Sequence, residues 1–537
     1  MKAHRMWPAA ASAALALALA ACGGGSYSSG SGQQQHAAGQ ASQVFTYDTY
    51  TQVMVDGWDP ATEYSNGIIA MSQMYETLTR YNSQTRQVDP LLATSWNSSN
   101  GGRTWTFQLR HGVHFHTGRL LTAQAAKAAI ERTIKLGGGA AYIWGAVASI
   151  GTPAQYTLVF HLKYPAPLSL QASSDYSAYI YDTNAAPAGQ SLAKWLNAAH
   201  EAGTGPYTVQ TYNSGQEFEV VLKAFPGYWG GWSGPHYKKV VFRVVPQDTT
   251  AAQLLRSGQV SFVEQMSPSL WKSLQGASGV TTTDSASWQN LLAQLNTRAL
   301  SLPVRQALSY AVNYQGIIAA LGGAASASSG IVPAGLLGHF TNLPSYSYDP
   351  AKATALLHSA GYGPGRKPLK LTLTYTQGDD NEQIVATLLK SSLARLNVNL
   401  SVQSLAWATQ WAKGKSASAG QHQDIFMEYW WPDYADPYSW FINLLHSEKQ
   451  PYFNLSYYDS ADLDHQIDQV ETLVATNQSA GSALYRKMQV EILRTAPIAF
   501  LYNANYQYAM QNNFSGFTSN PAYPNVVFTY NLKPRGS

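Results

Sequence analysis

The feature that most limits the fold is a strand, helix and strand pattern in the second half of the 537-residue chain. Residues 369–375 (LKLTLTY) and 398–402 (VNLSV) alternate apolar and polar side chains, as half-buried strands do. Between them, residues 381–396 repeat apolar side chains at helical spacing. Two strands joined by such a helix lie parallel in one sheet. The pattern therefore predicts an α/β protein with a parallel or mixed sheet.

Other local signals predict helices around this unit. Asp349 followed by Pro350 is typical of a helix start, with Asp as the N-cap and Pro in the first turn. Gly361 predicts the end of that helix. Residues 304–321 predict a further helix, which the next two glycines end. The sequence contains no repeat of the length found in solenoids or propellers.

The N-terminus has the pattern of a secretory signal. Lys2 and Arg5 precede an apolar run, residues 6–19, that is too short to span a bilayer. Its end, LAAC at 19–22, resembles a bacterial lipobox, in which the cysteine is acylated. Cys22 is the only cysteine, so it cannot form an intramolecular disulfide or a multi-cysteine metal site. The alternative is an ordinary signal peptide with a chance cysteine.

The lipobox interpretation sets the expected location. Residues 1–21 are predicted to be a lipoprotein signal peptide, and residues 22–42, rich in Gly, Ser, Gln and Ala, a flexible tether. No later segment contains a long uninterrupted apolar run, so lipid on Cys22 is the predicted membrane attachment. We therefore expect an extracytoplasmic protein that is lipid-anchored to the cell membrane.

Composition argues against a nucleic-acid-binding protein and excludes a disordered chain. Lys and Arg number 34 against 30 Asp and Glu, and no basic run is present, so nucleic acid is not an expected partner. Apolar residues at 45% exclude a disordered chain. The 34 tyrosines and 15 tryptophans suit a ligand groove, although a large core also absorbs such rings.

Motifs of common enzymes are missing from the sequence. It contains no phosphate-binding loop, no HExxH and no GxSxG. Two acid pairs, Asp379 with Asp380 and Asp462 with Asp464, could act as catalytic carboxylates. Both pairs precede predicted helices, where acids favour the positive end of the helix dipole, and this interpretation is preferred.

Three histidines raise the question of a metal. His111, His114 and His116 lie close together after a predicted strand, and imidazole is a common metal ligand. No acid or cysteine lies near them in the sequence. We therefore favour loop histidines over a metal site, and we expect neither a metal nor a cofactor.

The segment DIFMEYWWPDYADPYSW contains the strongest candidate site. Residues 425–429 predict a buried strand that runs into Trp430, Trp431 and then Asp433. An acid just beyond the carboxyl end of a strand lies where open α/β sheets bind ligands. Neighbouring aromatic rings would exclude water and strengthen its attraction to a cation. Equally, Asp433 and Asp436 fit turn residues and the tryptophans fit a core.

Ten short blocks, in order, carry a family resemblance from about residue 45 to 530. They are WDP at 58–60, MYETL at 74–78, DPLLATSW at 89–96, WTFQLRHGVHFH at 105–116, LTA at 121–123, GTGPY at 203–207, YW at 228–229, VRQAL at 304–308, YDP at 348–350 and AGY at 360–362. Together they resemble the bacterial extracellular solute-binding proteins of family 5, the substrate-binding lipoproteins of peptide-type ABC importers. Thr117 departs from the family, where an acid or amide is common.

The resemblance implies a fold more specific than α/β. It implies a periplasmic-binding-protein-like, two-lobed clamp of type II, with an extra subdomain inserted in lobe I. Lobe I is expected at residues 43–295, with the inserted subdomain at about 90–200. Lobe II is expected at 296–503, and residues 504–537 are expected to return to lobe I. Closure of such lobes buries a solute between them.

The resemblance also implies which residues bind the solute. In oligopeptide- and dipeptide-binding relatives, an acid in a W-x-x-D-type loop pairs with the α-amino group of the peptide, and Asp433 matches that position. Tyr429, Trp430 and Trp431 match the strand edge that pairs with the peptide backbone. Asp436 matches a second acidic position, where a turn role fits equally well. No arginine for the peptide carboxylate can be placed.

The function that follows is binding without catalysis. The resemblance implies a monomeric protein that captures peptides outside the cell and delivers them to ABC permease subunits. Alternatives within the family are binding of an oligosaccharide or a metal chelate. Alternatives of other classes are a surface hydrolase and a sensor built on the same clamp.

Overall fold

The computed structural model describes residues 44–49, 57–214 and 218–535. Cys22, the predicted signal peptide and the predicted tether lie outside the described residues, so these assignments stay predictions. Within the described ranges, no helix is both long enough and apolar enough to cross a membrane.

The strands follow one another in chain order with helices between many of them. They are β1 (Val44–Thr49), β2 (Thr79–Asn82), β3 (Gln87–Pro90), β4 (Ala93–Ser99), β5 (Thr104–Leu109), β6 (Val147–Ala154), β7 (Thr157–Leu162), β8 (Tyr207–Asn213), β9 (Glu219–Ala224), β10 (Lys239–Val244), β11 (Phe262–Val263), β12 (Val280–Leu295), β13 (Ala325–Ser326), β14 (Leu369–Thr376), β15 (Val398–Leu405), β16 (Ile425–Trp430), β17 (Ile498–Gln511), β18 (Phe514–Ser515) and β19 (Lys533–Pro534).

The α-helices concentrate in the second half of the chain. They are α1 (Ile68–Met71), α2 (Ala123–Leu136), α3 (Leu168–Gln171), α4 (Leu192–Asn197), α5 (Asp248–Arg256), α6 (Pro268–Leu274), α7 (Leu302–Ala311), α8 (Tyr314–Ala320), α9 (Pro350–Ser359), α10 (Asp380–Ala394), α11 (Trp407–Gly414), α12 (Tyr438–Leu444), α13 (Ala461–Thr476) and α14 (Gln478–Thr495).

The largest sheet is mixed and has 11 strands. Its order is β15-β14-β16-β12-β17-β11-β1-β10-β9-β8, with β13 paired to β17. Strands β14 and β15 are parallel, and helix α10 connects them. The predicted strand, helix and strand unit is therefore confirmed, because its apolar stripe on α10 packs on the sheet.

Two long antiparallel strands, β12 and β17, join the two halves of this sheet. The first half of β12 pairs with the end of β17, from Val280 opposite Gln511 to Ala286 opposite Asn505. The register then shifts and resumes at Asn290. Strands β11, β1, β10, β9 and β8 extend one half, and β16, β14 and β15 extend the other. The lobe boundaries predicted at 295/296 and 503/504 stay predictions.

A separate four-stranded antiparallel sheet, β4-β5-β7-β6, lies within the segment predicted to be the inserted subdomain. Helix α2 packs on β6 and β7. The core of this sheet is continuous with that of helices α12 to α14, since Phe107 and Phe160 belong to the same buried cluster as Trp440 and Tyr485. The small sheet therefore packs toward the helices that follow β16.

The helix ends confirm one expectation and correct another. Asp349 caps α9 by accepting a hydrogen bond from a backbone N–H, and Gly361 follows the helix with a φ of 86°. The prediction of one continuous helix over residues 304–321 was wrong, because this segment forms two separate helices, α7 and α8. Val312 is extended, and the Asn313 side chain accepts a 2.9 Å hydrogen bond that caps α8. Asn at that position favours a new helix start over continuation.

Candidate functional site

A cavity lies where β12, β16 and β17 meet the loops around them. Both halves of the large sheet contribute to its lining. Glu264, directly after β11, and Gln507 on β17 come from one half. Asp379 before α10 and Glu428 on β16 come from the other half. The cavity therefore lies between the two halves that β12 and β17 connect.

The structure brings most of the predicted site residues to this cavity. Tyr429, Trp430, Trp431 and Asp433 all line it. Asp436, three positions further along the same loop, does not. The assignment of these residues to solute binding stays a prediction, which the geometry below informs.

Asp433 presents one carboxylate oxygen to the protein and leaves the other without a described donor. Its Oδ2 accepts hydrogen bonds from the Tyr142 hydroxyl at 2.5 Å and from the Asn443 amide at 3.4 Å. Its backbone carbonyl accepts a 2.5 Å bond from the Ser174 hydroxyl. Burial raises the pKa of Asp433 to about 6, and the bonds from Tyr142 and Asn443 oppose that rise. At neutral pH the carboxyl group is therefore mostly ionised.

The two tryptophans before Asp433 have different surroundings. Trp430 is 8% exposed, packs edge-on against Phe453, and donates a 3.3 Å bond to Ser439. Trp431 is half-buried and donates a 2.8 Å bond to the Tyr176 hydroxyl. Trp430 is therefore mainly a core residue with one face on the cavity, whereas Trp431 joins the loop after β16 to the segment before α4.

Strand β16 has an open edge at the cavity. It pairs with β12 along its whole length, but it pairs with β14 only at Ile425 and Phe426. The Gln410 amide donates a 2.8 Å bond to the Met427 carbonyl and so covers the first position beyond this pairing. The edge at residues 428–430, which line the cavity, has no neighbouring strand on that side among the described residues.

Asp436 has the turn role that the sequence allowed. Its Oδ1 accepts a 2.9 Å bond from the backbone N–H of Tyr438 and a 2.6 Å bond from the Tyr485 hydroxyl. The residue is 4% exposed. Its side chain thus orders the start of α12 and its packing on α14.

Other acids that line the cavity were missed by the sequence reasoning. Asp379 caps α10, as predicted from its position, but it also lines the cavity. Glu264 and Glu428 were not among the predicted site residues. Glu428 carried a usable signal, because an acid inside an apolar strand is seldom buried without a role. Asp462 and Asp464, which were expected just before a helix, lie in the first turn of α13 and do not line the cavity.

Five acids, Glu264, Asp379, Glu382, Glu428 and Asp433, belong to the described lining of the cavity. Burial raises the pKa of Glu264 and Glu428 to about 8 and that of Asp379 to about 6. The lining that the structure describes includes no Lys, Arg or His. Such a surface disfavours an anionic group and suits a ligand that brings hydrogen-bond donors and positive charge.

The histidine cluster does not form a metal site. His116 pairs with the carboxylate of Glu201 and with the Gly205 carbonyl at 2.8 Å. His114 contacts a backbone carbonyl, and His111 stacks on a tyrosine ring. Across the described ranges, no group of three or more His, Cys, Asp or Glu side chains could hold a metal ion.

Comparison with known proteins identifies the family. Residues 87–452 match the sequence pattern of bacterial extracellular solute-binding proteins, family 5 (middle region). The chain belongs to this family. As a family 5 protein it is a solute-binding protein rather than an enzyme, which removes the hydrolase alternative.

Relatives of this family 5 protein are described as binding dipeptides, glutathione or nickel. The probable D,D-dipeptide-binding periplasmic protein DdpA of Escherichia coli (strain K12) is 27% identical over 479 residues, 87% of this chain and 90% of that protein. The periplasmic binding protein DppA from Helicobacter pylori, solved with peptide STSA, matches with a TM-score of 0.79 at 23% identity, covering 92% of this chain and 98% of that chain.

A second solved structure agrees on the fold. The oligopeptide-binding protein AppA from Bacillus subtilis, in complex with a nonapeptide, has a TM-score of 0.80 at 19% identity and covers 92% of this chain and 100% of that chain. These matches confirm the predicted α/β, two-lobed periplasmic-binding-protein fold.

Proposed function

We propose that this family 5 protein captures peptides with a free α-amino group outside the cytoplasm and delivers them to an ABC permease as a monomer. The observation that carries the proposal is the carboxyl group of Asp433 at the cavity, just beyond the end of β16, where Tyr142 and Asn443 bond to only one of its two oxygens. Relatives named for binding dipeptides and oligopeptides support the choice of peptide.

The first step is capture of the amine. Tyr142 and Asn443 occupy Oδ2 of Asp433, so Oδ1 is the oxygen that would accept from the ammonium group. An ammonium group has three donors and needs such acceptors when it leaves water. The surrounding rings of Trp430 and Trp431 lower the local dielectric and strengthen the attraction.

The second step is pairing of the peptide backbone. An extended peptide whose amine lies at Asp433 would run beside the open edge of β16, at Tyr429 and Trp430. Main-chain hydrogen bonds at a strand edge give affinity that does not depend on the side chains of the peptide. This arrangement suits a protein that accepts many sequences.

The third step is closure. Tyr142 and Ser174 bond to Asp433, and Tyr176 bonds to Trp431. Two segments, one before β6 and one after α3, therefore contact the loop after β16. A solute held between them favours the closed arrangement by its differential affinity for that state. The permease would then recognise the closed form.

The membrane attachment belongs to the same proposal. Acylation of Cys22 would hold the protein at the membrane through lipid. In cells, the wild-type protein should partition into the detergent phase of a Triton X-114 extract, whereas Cys22→Ser should partition into the aqueous phase. Equal partitioning of both proteins would contradict lipidation.

Calorimetry tests the proposed solute directly. Binding of trialanine should give a measurable heat. N-acetyl-trialanine should bind at least about 100-fold more weakly, because the acetyl group removes the positive charge that pairs with Asp433. Mass spectrometry of the recovered peptide should show it intact. Equal affinities, or cleavage of the peptide, would overturn the proposal. Native mass spectrometry of the purified protein would reveal an oligosaccharide or a metal chelate if either is the natural solute.

A further inference from the structure

Four acids apart from Asp433 line the cavity, and together we call them the acidic wall: Glu264, Asp379, Glu382 and Glu428. They come from three places in the fold, namely the end of β11, the start of α10 and strand β16. Each is 3% exposed or less. The acidic wall is therefore assembled by tertiary structure on both sides of the cavity.

The members of the acidic wall interact with one another. Burial is the main reason that their pKa values rise, and neighbouring charges add to it. The charge of Asp379 raises the pKa of both Glu264 and Glu382, and that of Glu428 also raises the pKa of Glu382. The four groups thus line one cavity and lie near enough to influence one another's ionisation.

Unpartnered acceptors lie on the same surface. Gln507 lines the cavity, is 6% exposed, and its Oε1 has no hydrogen-bond partner among the described residues. The same holds for Oε2 of Glu264 and Oδ1 of Asn381. Oε1 of Gln507 and Oδ1 of Asn381 are amide acceptors, and buried acceptors are seldom left without a donor. A ligand that brings N–H groups to this surface would satisfy them.

A metal ion is a poor candidate for that ligand. The described acids include no group of three or more that could hold a metal. Organic cations fit better, because an ammonium or guanidinium group donates several hydrogen bonds and favours the ionised form of the carboxyl groups that it contacts.

We infer that the acidic wall is a second cation subsite, which takes an ammonium or guanidinium group of the solute other than the amine at Asp433. The inference rests on the proposed function. It narrows the solute to peptides of net positive charge with a basic side chain. Since the described lining offers no cation, a blocked carboxyl end fits the cavity better than a free carboxylate.

Matched peptides test the inference. The probes are trialanine amides with arginine at the first, second or third position, and the same peptides with citrulline, which has the same shape without the charge. Calorimetry at low salt should show at least one arginine peptide binding about tenfold or more tighter than its citrulline counterpart.

Variants assign the effect to the acidic wall. Glu264→Gln and Asp379→Asn should each bring the ratio of arginine to citrulline affinity to about 1. Asn can still cap α10, so the second variant keeps the helix start. Asp380→Asn is the matched control, because Asp380 is the adjacent acid but is exposed and does not line the cavity.

The outcomes separate this inference from the proposed function. Arginine and citrulline peptides that bind within about twofold of each other at all three positions would overturn the second cation subsite. Loss of that binding on N-acetylation would leave the amine site at Asp433 standing. If no peptide bound at about 1 mM, the proposed function would fall, and the inference with it.

Discussion

The hydroxyl of Tyr142 donates a 2.5 Å hydrogen bond to Oδ2 of Asp433, 291 positions later in the chain. Tyr142 lies between α2 and β6, beside the small sheet, and Asp433 follows β16 of the large sheet. The bond therefore forms only when these two parts are in contact. It orients the carboxylate so that Oδ1 is left for the proposed solute, and it would link capture of that solute to closure.

Removal of this hydroxyl should weaken binding of every solute. In Tyr142→Phe the closed arrangement loses a hydrogen bond to a charged acceptor, a contribution of about 1.5–3 kcal/mol. The affinity for trialanine should fall by roughly 10- to 100-fold in calorimetry. Tyr310→Phe is the control, since its hydroxyl contacts the exposed Lys352 away from the cavity. Unchanged affinity in Tyr142→Phe would show that the bond does not contribute to closure.

The two acids of the loop after β16 should respond differently to substitution. Asp433→Asn removes one partner of the proposed buried ion pair, which costs about 3–5 kcal/mol, so peptide affinity should fall by two decades or more. Asp436→Asn should leave affinity nearly unchanged but lower the melting temperature, because Tyr438 and Tyr485 lose a charged acceptor. Calorimetry and thermal melts measure the two effects. The assignment fails if Asp436→Asn is the variant that loses binding.

Local patterns were enough to predict much of the fold. The strand, helix and strand unit follows from periodicity within about 40 residues, and the start of α9 follows from Asp349 and Pro350. Both depend on neighbours in the sequence. The break between α7 and α8 is also local, but the signal of Asn313 was outweighed by the apolar pattern that continues past it.

The site was predictable only in part, for a physical reason. Asp433 was found because its tryptophan neighbours are adjacent in the sequence. Glu264 and Asp379 were not, because they meet only through the long pairing of β12 with β17, which no local pattern encodes. Burial is the main cause that raises the pKa of each, and this burial is created by the tertiary structure.

The open edge of β16 predicts sensitivity to the peptide backbone. Replacement of one amide by an ester removes an N–H donor and leaves the side chains unchanged. If Tyr429 and Trp430 pair with the peptide, the matching ester of trialanine should bind up to about tenfold more weakly. Exchange of an alanine side chain for serine, the comparison peptide, should change affinity less. An ester series with no loss at any position would contradict pairing at this edge.

The buried acids predict that the empty protein loses stability as pH rises. Burial raises the pKa of Glu264, Glu428 and Glu471 to about 8 from a usual value of 4.5. Between those values the folded protein keeps these protons while the unfolded chain releases them, so unfolding becomes easier as pH increases. The melting temperature should fall by about 5 °C or more from pH 5 to pH 8.

A variant separates this effect from general alkaline damage. Glu428→Gln replaces the neutral acid by a neutral amide of the same shape, so it should raise the melting temperature at pH 8 more than at pH 5. The groups around these acids are themselves acidic or phenolic: Asp48 and Asp379 near Glu264, Glu382 near Glu428, and Asp436, Tyr164 and Tyr434 near Glu471. None of these neighbours supplies a positive charge that would reverse the slope. A melting temperature that stays flat or rises over this range would mean that the acids are ionised in the folded protein.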